Sequence, residues 1–438
     1  MVVHLEAAVE RLKASLFFVP LAFVAGAVAL GLVMVEVDQW LVESPRAVPF
    51  VLTSTVDSAR AVLGTIASAT ITVAGIAFSI ALLVIQLASS QYSPRIVHGL
   101  LRDPFSKRVM GIVAGTFTYC LFVLRAVRGP LEEDGTPVIP NLSVALALVL
   151  GVLSILSIIA FIDHSAHSMD VSRLLSGATE EGIDNVRRLW SQPGPRLPQP
   201  VAPDPPDDHV LVRHRSSGWI QHIDVDRVAR TAPEGGTVVL HTEVGRYAVV
   251  GAPLCTVWPV PDDVEAATAD ATGAVVTGSS RTAEQDVGYA VRQLADVSLR
   301  ALSPGVNDPT TAQDALFHSA SVVGELLTRQ PPPLATAMDG SRVLVRPQRM
   351  THREVVELAF EEVRLAAAGM PKVLIYLLQV LHLLDERVVA ADVDGEEARA
   401  ALAEQAALIL ADARRADLLE ADLARIEEAH ELRFGSSA

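Results

Sequence analysis

Residues 61–88 read AVLGTIASATITVAGIAFSIALLVIQLA, with no charged side chain among them. A helix of that length rises ~40 Å, enough to cross a ~30 Å hydrocarbon layer. Three further apolar runs, at 14–35, 108–127 and 142–162, are also long enough. The run at 108–127 is the least apolar, with Thr116, Thr118 and Tyr119 inside it and Arg125 and Arg128 at its end, placed to snorkel to the interface. Arg11 and Lys13 precede the first run, but Ala14–Val35 is too long for a signal-peptide core and no small-x-small cleavage site follows, so it reads as a retained membrane helix.

Connecting charges set the expected orientation. Arg11 and Lys13, then Arg95, Arg102, Lys107 and Arg108, then Arg173, Arg187 and Arg188 lie on one side. The first loop mixes Arg46 and Arg60 with Glu36, Asp38, Glu43 and Asp57, and the third carries Glu132, Glu133 and Asp134. The positive-inside rule puts both termini in the cytoplasm, in a bacterial inner membrane. The expected fold class is membrane α-helical with four transmembrane helices, plus a cytoplasmic α+β domain containing a small β-module and several helices. The expected division is 1–165 transmembrane, 166–208 juxtamembrane helix and Pro-rich linker, 209–262 β-module, 263–390 helical domain and 391–438 C-terminal amphipathic helix and tail.

In the second run Ser68, Thr72, Gly75, Ser79, Gln86 and Ser90 are spaced 4, 3, 4, 7 and 4 apart, one stripe along a helix. Ile71, Phe78, Leu82 and Ile85 lie opposite. Two uses fit such a stripe: close helix packing, or the water-facing wall of a conduction path. No charge lies on it, which argues against a proton relay. After the fourth run, Asp163, His167 and Asp170 share a helix face and are weak candidates for a divalent metal; a polar helix end accounts for them equally, and no fourth ligand can be named.

Half of the chain is hydrophobic, and the net charge is −16. Basic residues are scattered among acids, which argues against nucleic acid as a partner. Cys120 and Cys255 are the two cysteines, too few for a disulfide framework or a cysteine-rich metal site.

The C-terminal half begins with a helix over about 168–190 and a Pro- and Asp-rich linker to 208. Short β-branched runs follow at 210–212, 218–220, 237–240 and 248–250. Residues 244–254 resemble the hairpin phrase of barrel-sandwich modules such as lipoyl domains, but no lysine is present for carrier attachment. The densest polar stretch is 281–312. A helix over about 283–302 carries Asp296 and Arg300 as an i, i+4 pair. Ser303-Pro304-Gly305 stops it, and Asn307-Asp308-Pro309 restarts the chain with Asp308 as N-cap and Pro309 at the first helical position. Capping explains most of Ser303–Pro309; a polar ligand at the new helix's N-terminus beside Arg300 is the functional alternative. Helices are expected over 351–368, 373–384 and, as one long stretch, 396–432.

Three phrases carry a family resemblance: Phe78-Ser79-Ile80 through Gln86-Leu87-Ala88-Ser89-Ser90-Gln91-Tyr92-Ser93-Pro94-Arg95, Gly115-Thr116-Phe117-Thr118-Tyr119, and Ala301-Leu302-Ser303-Pro304-Gly305-Val306-Asn307-Asp308-Pro309-Thr310-Thr311-Ala312. They resemble the bacterial membrane-protein family catalogued as domain of unknown function 2254. The resemblance covers the chain from the first helix to about residue 385. It implies four spanning helices and a cytoplasmic domain, and it transfers no functional residues.

The sequence contains no Gly-rich phosphate loop, nucleophile elbow or HExxH motif, so an enzyme is the least-favoured class, and no cofactor is expected. The leading expectation is a homo-oligomeric, channel-like protein in the bilayer, with the stripe along its path and cations favoured. The alternative is a membrane-anchored sensor or scaffold whose cytoplasmic domain binds a ligand or protein.

Overall fold

The apolar runs fold as long helices in a computed structural model that describes residues 18–43, 55–91, 104–127, 139–167, 170–192, 204–391, 393 and 395–435. The chain divides into two compact units, Met1–Arg173 and Leu174–Ala438.

The N-terminal unit contains α1 (Phe18–Glu43), α2 (Val56–Gln91), α3 (Pro104–Ala126) and α4 (Asn141–His167). All four are long and apolar enough to cross a membrane. Of the orientation charges, Arg11, Lys13, Arg46, Arg95, Arg102 and Glu132–Asp134 lie outside the described residues, as does the snorkelling candidate Arg128. Large apolar side chains such as Leu32, Ile71, Phe78, Val152, Ile155 and Ile159 point outward. Lipid solvates them as well as a protein core would, so the helices associate instead through small residues that permit close approach. Gly111 and Gly115, four apart on α3, meet Phe23 of α1; a Cβ on Gly111 would lie 2.6 Å from the Phe23 ring.

The polar residues that weaken α3 as an apolar run face inward. Ser154 Oγ donates to Thr116 Oγ1 at 2.9 Å, and Tyr119 donates its hydroxyl to the Ser143 carbonyl at 3.1 Å, all buried. Asp38, expected as a loop charge, is also buried. Its carboxylate accepts the Leu142 and Ser143 amides at 2.9 Å each and the Ser143 hydroxyl at 2.6 Å. The first amides of a helix have no partner within it. Here α1 supplies the cap that α4 lacks locally.

The C-terminal unit begins with α5 (Val171–Leu189). A β-rich region follows: β1 (Val210–Arg213), β2 (Gly218–Ile223), α6 (Val225–Ala229), β3 (Thr237–Leu240), β4 (Tyr247–Ala248), β5 (Pro253–Trp258), α7 (Val264–Gly273) and β6 (Val275–Gly278). After α8 (Gly288–Ala301) and α9 (Pro309–Leu327) come β7 (Ala335–Met338) and β8 (Arg342–Val345). The strands form two sheets, ordered β1-β5-β3-β8-β7 and β4-β2-β6. Strand β8 runs parallel to β3, so the first sheet draws a hairpin from far beyond residue 262. Ile220, Val238, Leu240, Leu254, Cys255, Val257 and Leu344 form the core of this β-region.

The remaining helices are α10 (His352–Ala366), α11 (Pro371–Ala390), α12 (Glu396–Arg415) and α13 (Glu420–Phe434). Thr351 and Glu354 close α10 with a reciprocal capping box. The single long C-terminal helix expected from sequence is instead two. The chain extends at Ala416 (ψ 150°), and α13 then returns onto α11, burying Ile426 and Ala429. An ion cluster centred on the mostly buried Glu325 ties three helices together. Glu325 of α9 meets Arg187 of α5 at 3.1 Å, Arg329 at 3.0 Å and Arg387 of α11 at 3.1 Å. Burial works against ionisation of Glu325, but the Arg187 and Arg329 guanidiniums overcome it and hold the carboxyl below its usual range.

Candidate functional site

Among the described residues the α2 stripe faces away from the other helices of its own chain. Ser68, Thr72, Gly75, Ser79 and Gln86 are exposed, and a Cβ on Gly75 would meet no atom within 4 Å. The Ser90 side chain lies outside the described residues. Ile71, Phe78 and Leu82 are exposed as well. The bundle-facing side of α2 is a third line, Leu63, Ala67, Thr70 and Ala77, with Ala74 and Ala81 partly buried beside it. Sequence reading missed this face because alanine stands out neither as polar nor as bulky. On the stripe, Thr72 donates to the Ser68 carbonyl at 2.8 Å and Ser79 to the Gly75 carbonyl at 2.9 Å. Such back-bonded hydroxyls are satisfied without an outside partner; among the described residues the Gln86 amide has no such local bond.

The residues singled out around Ser303–Asp308 form a helix–turn–helix joint. Asp308 accepts the Thr310 and Thr311 amides at 3.1 Å each and the Thr311 hydroxyl at 2.5 Å, with Pro309 opening α9. The Thr311 hydrogen bonds hold its carboxyl below the usual range. Ser303 donates to the Arg300 carbonyl at 2.7 Å, and Asn307 adopts φ +48° to turn the chain. Asp296 pairs with Arg292 at 2.8 Å, one turn before it, and Arg300 is exposed. In the membrane unit, His167 Nδ1 lies 2.8 Å from the Asp163 carbonyl, and Asp170 accepts the Ser172 amide at 2.9 Å. Among the described residues no group of three His, Cys, Asp or Glu is placed to hold a metal ion.

A polar concavity lies elsewhere, inside the C-terminal unit. A cavity of about 400 Å³ opens between the β3–β4 turn, the segment before α8, the β8–α10 connection and the end of α5. Its walls include Trp190, Val244, Met350 and Leu358, and its charged lining is Glu243, Arg246, Arg281, Asp286, Arg346, Arg349 and Glu354. Gly245 adopts φ +83°, and a Cβ there would collide with the Asp286 carboxylate, so the turn approaches this closely only with glycine. Arg281 meets Asp286 at 2.7 Å and also lies over the Trp219 and Tyr289 rings. Asp286 also accepts the Gly288 amide at 3.1 Å. That turn explains why α8 starts at Gly288 rather than near 283. Burial pushes the Asp286 carboxyl above its usual range, against the opposing pull of Arg281.

Arg346 pairs with Glu243 at 2.7 Å and Arg246 with Glu354 at 3.3 Å. Arg349 makes no ion pair among the described residues. Three buried polar atoms of these lining residues have no partner among the described residues: Glu243 Oε2, Arg346 Nε and Arg349 Nε. Sequence reading reached only the 281–286 edge of the pocket. The other walls come from the end of α5, the β3–β4 turn and the β8–α10 connection, and the last two are brought together by the parallel β3–β8 pairing.

The family described as "Predicted membrane protein (DUF2254)" matches residues 13–382. This chain belongs to that family. Its similarity extends to the uncharacterized protein Rv1290c of Mycobacterium tuberculosis and the uncharacterized protein Mb1321c of Mycobacterium bovis. Each is 31% identical over 374 residues, covering 84% of this chain and 70% of the relative. No solved structure matches it.

Proposed function

We propose that the protein is a multi-pass inner-membrane protein with both termini in the cytoplasm, that it is not an enzyme, and that it works as a channel-like homo-oligomer. The observation that carries this reading is the outward-facing α2 stripe, above all Gln86. An amide turned toward hydrocarbon is unfavourable, so a neighbouring copy or water covers it. Small residues packed within the chain sit elsewhere, at Gly111 and Gly115, which leaves Gly75 and its neighbours for contacts beyond it. Four helices enclose a pore poorly, so several copies surround the path. The net charge of −16 favours cations over anions and gives nucleic acid no surface. Ion flux from liposomes tests the reading. Wild type should conduct, and Ser79→Leu and Gln86→Leu should reduce flux while the protein stays folded. Background flux from correctly inserted wild type sinks it.

The pocket in the C-terminal unit favours a second reading, a membrane-anchored sensor or scaffold. Under it, Ser79→Leu and Gln86→Leu leave function intact, and the membrane helices serve only to anchor and oligomerise.

A further inference from the structure

We infer that the pocket of the C-terminal unit binds a small soluble organic oxyanion, a carboxylate or phosphate monoester, that carries a hydrogen-bond donor such as an ammonium group beside the acid. This deepens the sensor reading and rests on it. Buried polar atoms are nearly always partnered in folded proteins. Six buried side-chain atoms lack a protein partner among the described residues, and three of them belong to residues that line this one cavity. Two are guanidinium donors, Arg346 Nε and Arg349 Nε, and one is a carboxylate acceptor, Glu243 Oε2.

The ligand class follows from those atoms. Arg346 and Glu243 already satisfy each other through one contact at 2.7 Å, so the unmet atoms are the remaining edge of a paired couple. A group with acceptors for two guanidiniums and a donor for one carboxylate completes that edge. Guanidinium forks suit planar carboxylate and tetrahedral phosphate oxygens. The lining holds four arginines and three carboxylates, so it favours an anion. Trp190, Val244, Met350 and Leu358 provide apolar contact for a carbon body, which bare phosphate lacks. The volume, about 400 Å³, lies in the range of small-molecule sites.

Calorimetric titration of the full chain in phosphatidylcholine nanodiscs tests this, with O-phosphoserine, glutamate and inorganic phosphate as probes. The zwitterionic lipid keeps anionic headgroups out of the measurement. Expected is saturable binding of O-phosphoserine or glutamate, with inorganic phosphate weaker. Arg349→Gln, which breaks no ion pair among the described residues, should weaken binding about tenfold or more at an unchanged melting temperature. Glu243→Gln should narrow the preference for the amino-bearing probe over inorganic phosphate, and Arg300→Gln, outside the pocket, should change nothing. Absence of saturable binding by O-phosphoserine and glutamate up to about 10 mM overturns the proposal and leaves a pocket filled by water. So does binding that Arg349→Gln leaves untouched. Binding that leaves liposome flux unchanged keeps the site and removes a role in gating. Tolerance of Gln86→Leu without probe binding keeps the sensor reading and moves its ligand elsewhere.

Discussion

In the N-terminal unit, Asp38, Thr116, Ser143 and Ser154 are buried and hydrogen-bonded across helices, and no buried side-chain polar atom among the described residues is left without a partner. In the C-terminal unit six such atoms remain, three of them around one pocket. The contrast follows from the surroundings. A membrane span has no water to fall back on, so an unmet group inside it costs its full desolvation. A water-accessible domain tolerates unmet groups where solvent or a ligand reaches them. The first unit therefore uses polar residues as fasteners, while the second uses them both as fasteners and as an open lining.

Breaking the strongest fasteners should give the largest effects. Glu325→Ala leaves the mostly buried Arg329 without its carboxylate and releases the half-exposed Arg187 and Arg387, and the loss should be about 3 kcal/mol. Thermal unfolding in detergent measures it. Because the folded Glu325 carboxyl is held below its usual range, the unfolded chain takes up that proton first as pH falls. Its stabilisation is present above the ordinary glutamate pKa and is lost as pH drops through the folded-state value. Glu325→Gln should remove that acid-dependent loss. Asp286 runs the other way. Burial raises its folded pKa, so its neutral form adds stability at low pH that is lost as pH rises through the raised value. Asp286→Asn should make the acid loss due to Glu325 steeper, because the opposing gain is gone.

Asp38→Ala should come next, at about 3 kcal/mol, because it leaves two α4 amides and the Ser143 hydroxyl without their acceptor. A smaller loss, within about 1 kcal/mol, would mean that water reaches the start of α4 and that this cap is not shielded by the bundle.

Two glycines then separate the packed face from the open one. Gly111→Leu forces a side chain into Phe23 and should cost about 1–3 kcal/mol. The Cβ of Gly75→Leu meets no described atom within 4 Å, and the change should leave the monomer's unfolding within about 0.5 kcal/mol of wild type. If the stripe is an interface between copies, Gly75→Leu instead shifts the assembly state on size-exclusion chromatography with light scattering. Equal behaviour of the two variants would remove the distinction between the faces.

The four apolar helices were legible because lipid selects on local composition: twenty apolar residues in a row have few other uses. The α8–α9 joint was legible for a similar reason, since Ser303-Pro304-Gly305 and Asp308-Pro309 specify it through neighbouring backbone bonds. The α1-to-α4 cap was not, because Asp38 and Ser143 lie 105 residues apart and nothing near either announces the other. Strands β7 and β8 were missed because they lie within 263–390, a stretch expected to be helical, and one pairs in parallel with a distant partner. The break between α12 and α13 escaped because helix propensity is high on both sides; tertiary packing on α11 decides it. The pocket inherits these blind spots, being assembled from segments that meet only through the sheet.

The smallest effect belongs to the motif that looked most distinctive in the sequence. Asp308 spends its carboxylate on two amides and one hydroxyl of its own helix start. Asp308→Ala should therefore cost about 1 kcal/mol, the usual loss on removing an N-cap, and Asp308→Asn should recover most of it because asparagine caps nearly as well. Probe binding at the pocket should be unchanged in both, since Asp308 is not among the pocket's lining residues. A functional loss in Asp308→Asn at normal stability would require the charge itself rather than the cap. That outcome would make the Ser303–Asp308 joint a second ligand-facing region, and the division between fastened and open polar residues would no longer follow the pocket alone.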